Sequence, residues 1–159
     1  MDTIADIEII NHVNEWVKYV STTKTSNDWF ICPHAAKVLN GDRLKIISYV
    51  EEKIPEIVEN FLSDRKNFRV WVLHCPNADL KQICNDLNER YKDIVFLYDF
   101  AEASGYIGDI PTGNRKYDFI LMQEKEELNK LSTVLQKMGY YSNWSDDYYN
   151  EIVKSRLPQ

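Results

Sequence analysis

The sequence predicts a single α+β (or α/β) domain: a four-stranded, mixed or mostly parallel sheet with packed helices and an added N-terminal helix. Three observations carry that expectation. Short β-rich runs alternate with stretches whose apolar residues recur every three or four positions, the patterns of strands and of amphipathic helices in turn. The chain has 159 residues, 44% of them hydrophobic and 13% aromatic, enough to close one core and too much for a disordered chain. No domain linker, repeat or low-complexity tract divides it. One domain over 1–159 is therefore expected, made of a helix and linker (1–28), a sheet-and-helix core (29–139) and an aromatic tail (140–159).

Taken in order, Ile9, Val13, Trp16 and Val20, widened by Ile10 and Val17, form the stripe of a first helix. A polar run over 22–28 ends it. Pro33 suits the first turn of a short second helix, where its fixed φ is helical and its missing N–H costs nothing, and Asn40-Gly41 stops that helix. Residues 45–50 read as a strand. The helix over 51–62 carries Ile54, Ile57, Val58, Phe61 and Leu62 on one face, with Pro55 in its first turn. Residues 68–74 form the second strand, and Asn77 or Asp79 caps the next helix, whose stripe is Leu80, Ile83, Cys84, Leu87 and Tyr91. Cys84 thus reads as a small buried hydrophobe. A third strand covers 94–98, a polar Gly-containing loop 99–116, and a fourth strand 117–122. The helix over 124–138 aligns Leu128, Leu131, Leu135 and Met138 and ends at Gly139. A last helical turn passes through Ile152 and Val153.

Charge narrows the partners. Nineteen Lys and Arg against 25 Asp and Glu leave a net charge of -6, with no basic stripe to displace counterions from a nucleic-acid backbone. No apolar run approaches the length of a membrane span, and Met1-Asp2-Thr3 lacks the basic patch of a signal peptide. No nucleic acid and no membrane are expected as partners. The three cysteines are odd in number and contain no CxxC, so reduced thiols in a cytoplasmic protein are expected.

Cys32 precedes Pro33 at a predicted helix start, where free N–H groups and the helix dipole favour thiolate over thiol. His74 and Cys75 end a strand, the edge of an open α/β sheet outside which ligands bind. Cys32, His34, His74 and Cys75 would make an adequate donor set for zinc, but their spacing matches no compact zinc site. Cys32 as nucleophile, His74 as base and Asp99 as the group orienting the imidazole form a thiol-enzyme scheme. In the long loop, Gly105, Gly108 and Gly113 permit unusual turns, Ser104, Thr112 and Asn114 can donate to an anion, and Arg115 can clamp a carboxylate or phosphate. The loop has neither nucleotide-binding glycine pattern, so no cofactor is specified. His12 adjoins an apolar stripe and reads as packing or surface. The aromatic tail, with Tyr140, Tyr141, Trp144, Tyr148 and Tyr149, reads foremost as the last core layer and otherwise as a partner surface.

Cys32-Pro33-His34-Ala35-Ala36-Lys37-Val38 resembles the Cys-Pro-Phe-Ala motif, followed by a short basic helix, of a family of small uncharacterised bacterial proteins, with His34 at the place of Phe. Asn114-Arg115-Lys116-Tyr117-Asp118-Phe119-Ile120-Leu121 is similar to that family's Asn-Arg segment before its last strand. The likeness covers about 29–138. It implies that Cys32, Asn114 and Arg115 are motif positions that could share a pocket, and it brings no activity. The leading expectation is a domain that binds a small anionic molecule through Cys32, His74, Asp99, Asn114 and Arg115. A cysteine-dependent enzyme and a non-catalytic interaction domain using the tail are the alternatives.

Overall fold

The computed structural model describes residues 7–35, 43–48, 53–64, 70–76, 79–101 and 105–157. The described elements follow the predicted order, with a two-stranded hairpin added in the loop after the third strand. They are α1 (Ile7–Thr22), β1 (Leu44–Ser48), α2 (Ile54–Asp64), β2 (Val70–His74), α3 (Leu80–Arg90), β3 (Ile94–Asp99), β4 (Tyr106–Ile107), β5 (Ile110–Pro111), β6 (Phe119–Glu124) and α4 (Lys125–Lys137). A 3-10 turn (Tyr140–Asn143), α5 (Asp146–Ile152) and a second 3-10 turn (Lys154–Arg156) complete the chain. The predicted helix after Pro33 lies outside the described residues beyond Ala35, as do Phe68, Asn77 and Ser104. Pro55 sits in the first turn of α2. Asp79 caps α3, its carboxylate accepting from Gln82 N at 3.2 Å. Gly139, at φ 81°, takes the left-handed conformation that follows α4.

The sheet runs β1-β2-β6-β3, with β1 parallel to β2 and β6 antiparallel to both of its neighbours. The helical crossovers keep β1, β2 and β3 pointing one way. β6 follows a connection without a helix, which lets it turn back and fill the place between β2 and β3. Alternation then assigns the two faces. Trp71, Met122 and Phe96 lie in register across one face, and Val72, Leu121 and Leu97 across the other.

The first face is the closed one. Helices α2 and α3 bury Trp71, Leu73, Phe96, Ile120 and Met122 together with Phe61 and Leu80. Phe61 meets the Trp71 ring edge-on at 5.4 Å, and Lys45 Nζ stands 4.3 Å over the indole. Cys84 is 1% exposed in this core, and burial pushes its thiol up to about 12, as the stripe predicts. Within the sheet β3 pairs only with β6 and is an edge strand. Asn88 of α3 covers that edge: its side chain donates to Phe96 O and accepts from Phe96 N, both at 2.8 Å.

The second face is less completely covered. Ile9 and Val13 of α1 bury Val72 and Phe119, and Trp16 stacks on Phe119 at 6.1 Å. Leu44, Val70, Leu97 and Leu121 on this face stay half-buried. On this side the aromatic tail packs against α1, residues 31–35 and β4. Tyr140 is 4% exposed, and Trp144 and Tyr148 pack against Val20, Ile31, Ala35 and Ile107. Among the described residues no helix is long and apolar enough to cross a membrane.

Candidate functional site

Over residues 105–118 the loop after β3 carries regular structure. It forms a small hairpin in which Ile107 pairs with Ile110 across Gly108-Asp109. Gly108 has φ 62° while Asp109 does not have positive φ, the φ pattern of a two-residue type II′ turn. Helix α1 pins the hairpin's outgoing end: Trp16 Nε1 donates to Thr112 O at 3.0 Å and Tyr19 Oη to Pro111 O at 2.7 Å.

Asn114 follows, and its side chain is fully committed. The amide nitrogen donates to Asp99 Oδ2 and to Tyr117 O, while Oδ1 accepts from Lys116 N at 3.0 Å and Tyr117 N at 2.7 Å. Asn114 N also donates to Asp99 Oδ2 at 2.8 Å, and His12 Nε2 donates to Asn114 O at 3.0 Å. Two donors and two acceptor sites exhaust an amide side chain, and Asn114 is 7% exposed. It braces the turn before β6 and leaves nothing for an anion, so the expected ligand contact is corrected. Arg115 lies apart from the cavity described below. It is exposed, with φ 64°. It turns outward because the brace fixes the residues on either side of it.

Asp99 is positioned as the sequence suggests, at the end of β3, but its partner is Asn114. Burial holds its carboxyl above the usual 3.8, Asn114's donors and His12 oppose that shift, and nearby Asp118 adds to it. The folded protein therefore holds this proton more tightly than the unfolded chain. Asp99's contribution to stability falls as pH rises from 3.8 through the raised folded value. Urea unfolding of wild type and Asp99→Asn between about pH 3 and pH 7 checks this. The wild type is expected to lose stability relative to the variant as pH rises, and a pH-independent difference would sink the assignment.

Of the thiol-enzyme scheme, the structure places His74 in a different cluster from Cys32. His74 projects on the second face, its ring edge-on to Tyr117 at 5.3 Å and 6.1 Å from Phe119. His12 meets Tyr117 at 5.2 Å. Cys75 points to the first face and is fully buried in its core. Cys32 belongs to a different cluster, beside Val20, Ile31 and Tyr148. Backbone N–H groups of His34 and Ala35 do reach its sulfur, as the helix-start reading expects, but burial is the larger effect and pushes the thiol up. The expected thiolate is thus corrected. Among the described residues no group of three or more His, Cys, Asp or Glu could hold a metal, so the four-residue zinc set is not assembled.

What the second face does contain is a cavity of about 300 Å3. Val72, Leu97 and Leu121 of the sheet form its floor and Leu128 and Leu131 of α4 one wall. The tail and Cys32 close it from the other side. One end is polar: Asp99, Thr112 and Tyr148 line it. Thr112 Oγ1 donates to Gly105 O at 3.0 Å, so its 2.9 Å contact with Tyr148 Oη has the phenol as donor. Arg156 and Ser132 line it too. Arg156 Nη1 donates to Ile152 O at 3.0 Å and Val153 O at 3.1 Å, and Nη2 to Ser132 Oγ at 2.6 Å. Burial lowers the affinity of this guanidinium for its proton, and Tyr141 and Tyr149 act in the opposite direction.

Sequence reading passes over Arg156 because Lys154-Ser155-Arg156 looks like any solvated chain end. Its one local signal is a cation just past a short helix, where it can bond the last carbonyls. Compared with protein-family models, curated proteins and solved structures, the chain matches none, so the site is read from its own geometry.

Proposed function

We propose that this protein is a binding domain for a small molecule with a largely apolar body, held in the cavity on the second face of the sheet. The cavity itself carries the reading. Small-molecule sites are concave, mostly apolar and furnished with a few placed polar groups, and this one combines Leu97, Leu121, Leu128 and Leu131 with Asp99, Thr112 and Tyr148. Its volume, at the lower end for such sites, suits a compact ligand. Of the residues expected to bind, Cys32 and Asp99 line it, while Asn114 supports Asp99 from behind.

A cysteine-dependent activity has less behind it, since burial keeps the Cys32 thiol protonated and His74 packs in another cluster. The three free thiols suit a reducing compartment, and we place the protein in the cytoplasm on that ground.

Titration with 1-octanol, followed by methyl NMR, tests the binding reading. Saturable shifts are expected at Leu97, Leu121, Leu128 and Leu131 and not at Leu80 or Leu87 on the closed face. Leu97→Trp, which fills the floor, is expected to weaken binding by about tenfold, a loss of ~1.4 kcal/mol. No saturable shift, or equal shifts on both faces, would overturn it.

A further inference from the structure

We infer that the molecule held in this cavity carries a carboxylate on its hydrocarbon body and that Arg156 is the counter-charge. The inference rests on the reading of the cavity as a binding site and names the class of its ligand.

Arg156 lies against an apolar cavity, and its Nε–H is buried with no hydrogen-bond partner among the described residues. The groups that do reach the guanidinium are neutral: two main-chain carbonyls, the Ser132 hydroxyl and the Tyr141 phenol. No carboxylate of the described residues acts on its charge. A buried charge normally faces an opposite one, and a guanidinium edge is shaped to take a carboxylate through short charge-assisted bonds. The carbonyl contacts explain how Arg156 closes the end of α5. They do not use Nε. Three acidic residues line the same cavity: Glu124 and Glu127 each have an interaction within the protein, and Asp99 accepts from Asn114.

The adjoining wall defines the rest of the ligand. Leu128, Leu131, Leu121 and Leu97 line the same cavity as Ser132 and Arg156. A straight-chain or compact aliphatic acid places its head at Arg156 and its body there. A molecule with a second charge would carry that charge into the leucine wall, where it is uncompensated.

Calorimetric titration of the intact protein with octanoate and with 1-octanol at neutral pH tests this. The two probes share a hydrocarbon body and differ in head-group charge. Octanoate is expected to bind at least about tenfold more tightly. Arg156→Gln should bring the ratio of the two affinities to about one. Arg156→Lys, which keeps the charge and loses the fork, should leave an intermediate ratio, and it serves where the glutamine variant does not fold. Equal affinity of wild type for acid and alcohol would overturn the assignment of Arg156 while leaving the apolar reading of the cavity standing. Failure of both probes to bind would remove that reading and this inference with it.

Discussion

Asn114→Ala is expected to lower the unfolding free energy by about 3 kcal/mol, and the melting temperature of a domain this size by roughly 10 °C. The side chain removed is the only described acceptor for Lys116 N and Tyr117 N, and a donor to both Asp99 Oδ2 and Tyr117 O. Alanine replaces none of these. Each group left without a partner in a part-buried setting costs about 1–3 kcal/mol, water recovering some of it at the exposed Lys116. The neighbouring Arg115→Ala, at an exposed residue, is expected to shift stability by no more than about 0.5 kcal/mol. Thermal and urea unfolding of the two variants side by side decides the matter. Equal small effects would mean that the Asn114 bonds contribute little, and a large effect at Arg115 would mean that the outward side chain has a role its exposure does not show.

Gly105→Ala is expected to cost a comparable amount, about 3 kcal/mol: 1–3 kcal/mol of overpacking and roughly 1 kcal/mol from a lost hydrogen bond. A Cβ at Gly105 would lie 2.6 Å from Tyr148 Oη and closer still to the ring carbons. The phenol cannot yield freely, because Trp144 packs against it at 4.7 Å between ring centres and Thr112 holds its hydroxyl. Displacing it breaks the Thr112 contact and deforms the polar end of the cavity. Gly105 is needed for close approach rather than for an unusual turn, since positive φ occurs at Gly108 and Gly139 but not here. A double-mutant cycle isolates the cause. In a Tyr148→Ala background the Gly105→Ala change should cost about 0.5 kcal/mol or less. An undiminished cost in that background would place the defect elsewhere than the Gly105–Tyr148 contact.

Local chemistry carried much of the fold. The stripe through Leu80, Cys84 and Leu87, the cap at Asp79 and the stop at Gly139 each follow from interactions within one or two helical turns, which is why reading along the chain finds them. The alternation through Val70–His74 settles in advance which residues share a face, since strand side chains point to opposite sides by covalent geometry. The same alternation separates His74 from Cys75, and in doing so argues against their joint use before any contact is known.

The position of β6 was not available in that way. Nothing in Phe119–Glu124 states that it pairs with β2 on one side and β3 on the other; the free edge left between those strands decides it. The site depended on the same long-range closures. Asn114 looked like an anion donor until Asp99, 15 residues earlier, and the turn to Tyr117 absorbed its capacity. Cys32 shows the two scales acting on one atom. The N–H groups that lower its proton affinity lie two and three residues away, while Tyr140 and Tyr148 reach its neighbourhood from more than 100 positions along the chain. The sequence by itself determined the periodicities, the caps, the two faces of each strand and the net charge, because those depend on neighbours fixed by covalent bonds. Only the tertiary structure decided that Arg115 faces outward, that the Nε–H of Arg156 is buried with no hydrogen-bond partner among the described residues, and that a cavity lies between the sheet and the tail. Desolvation and charge pairing depend on which distant surfaces meet, and no short stretch of chain encodes that meeting.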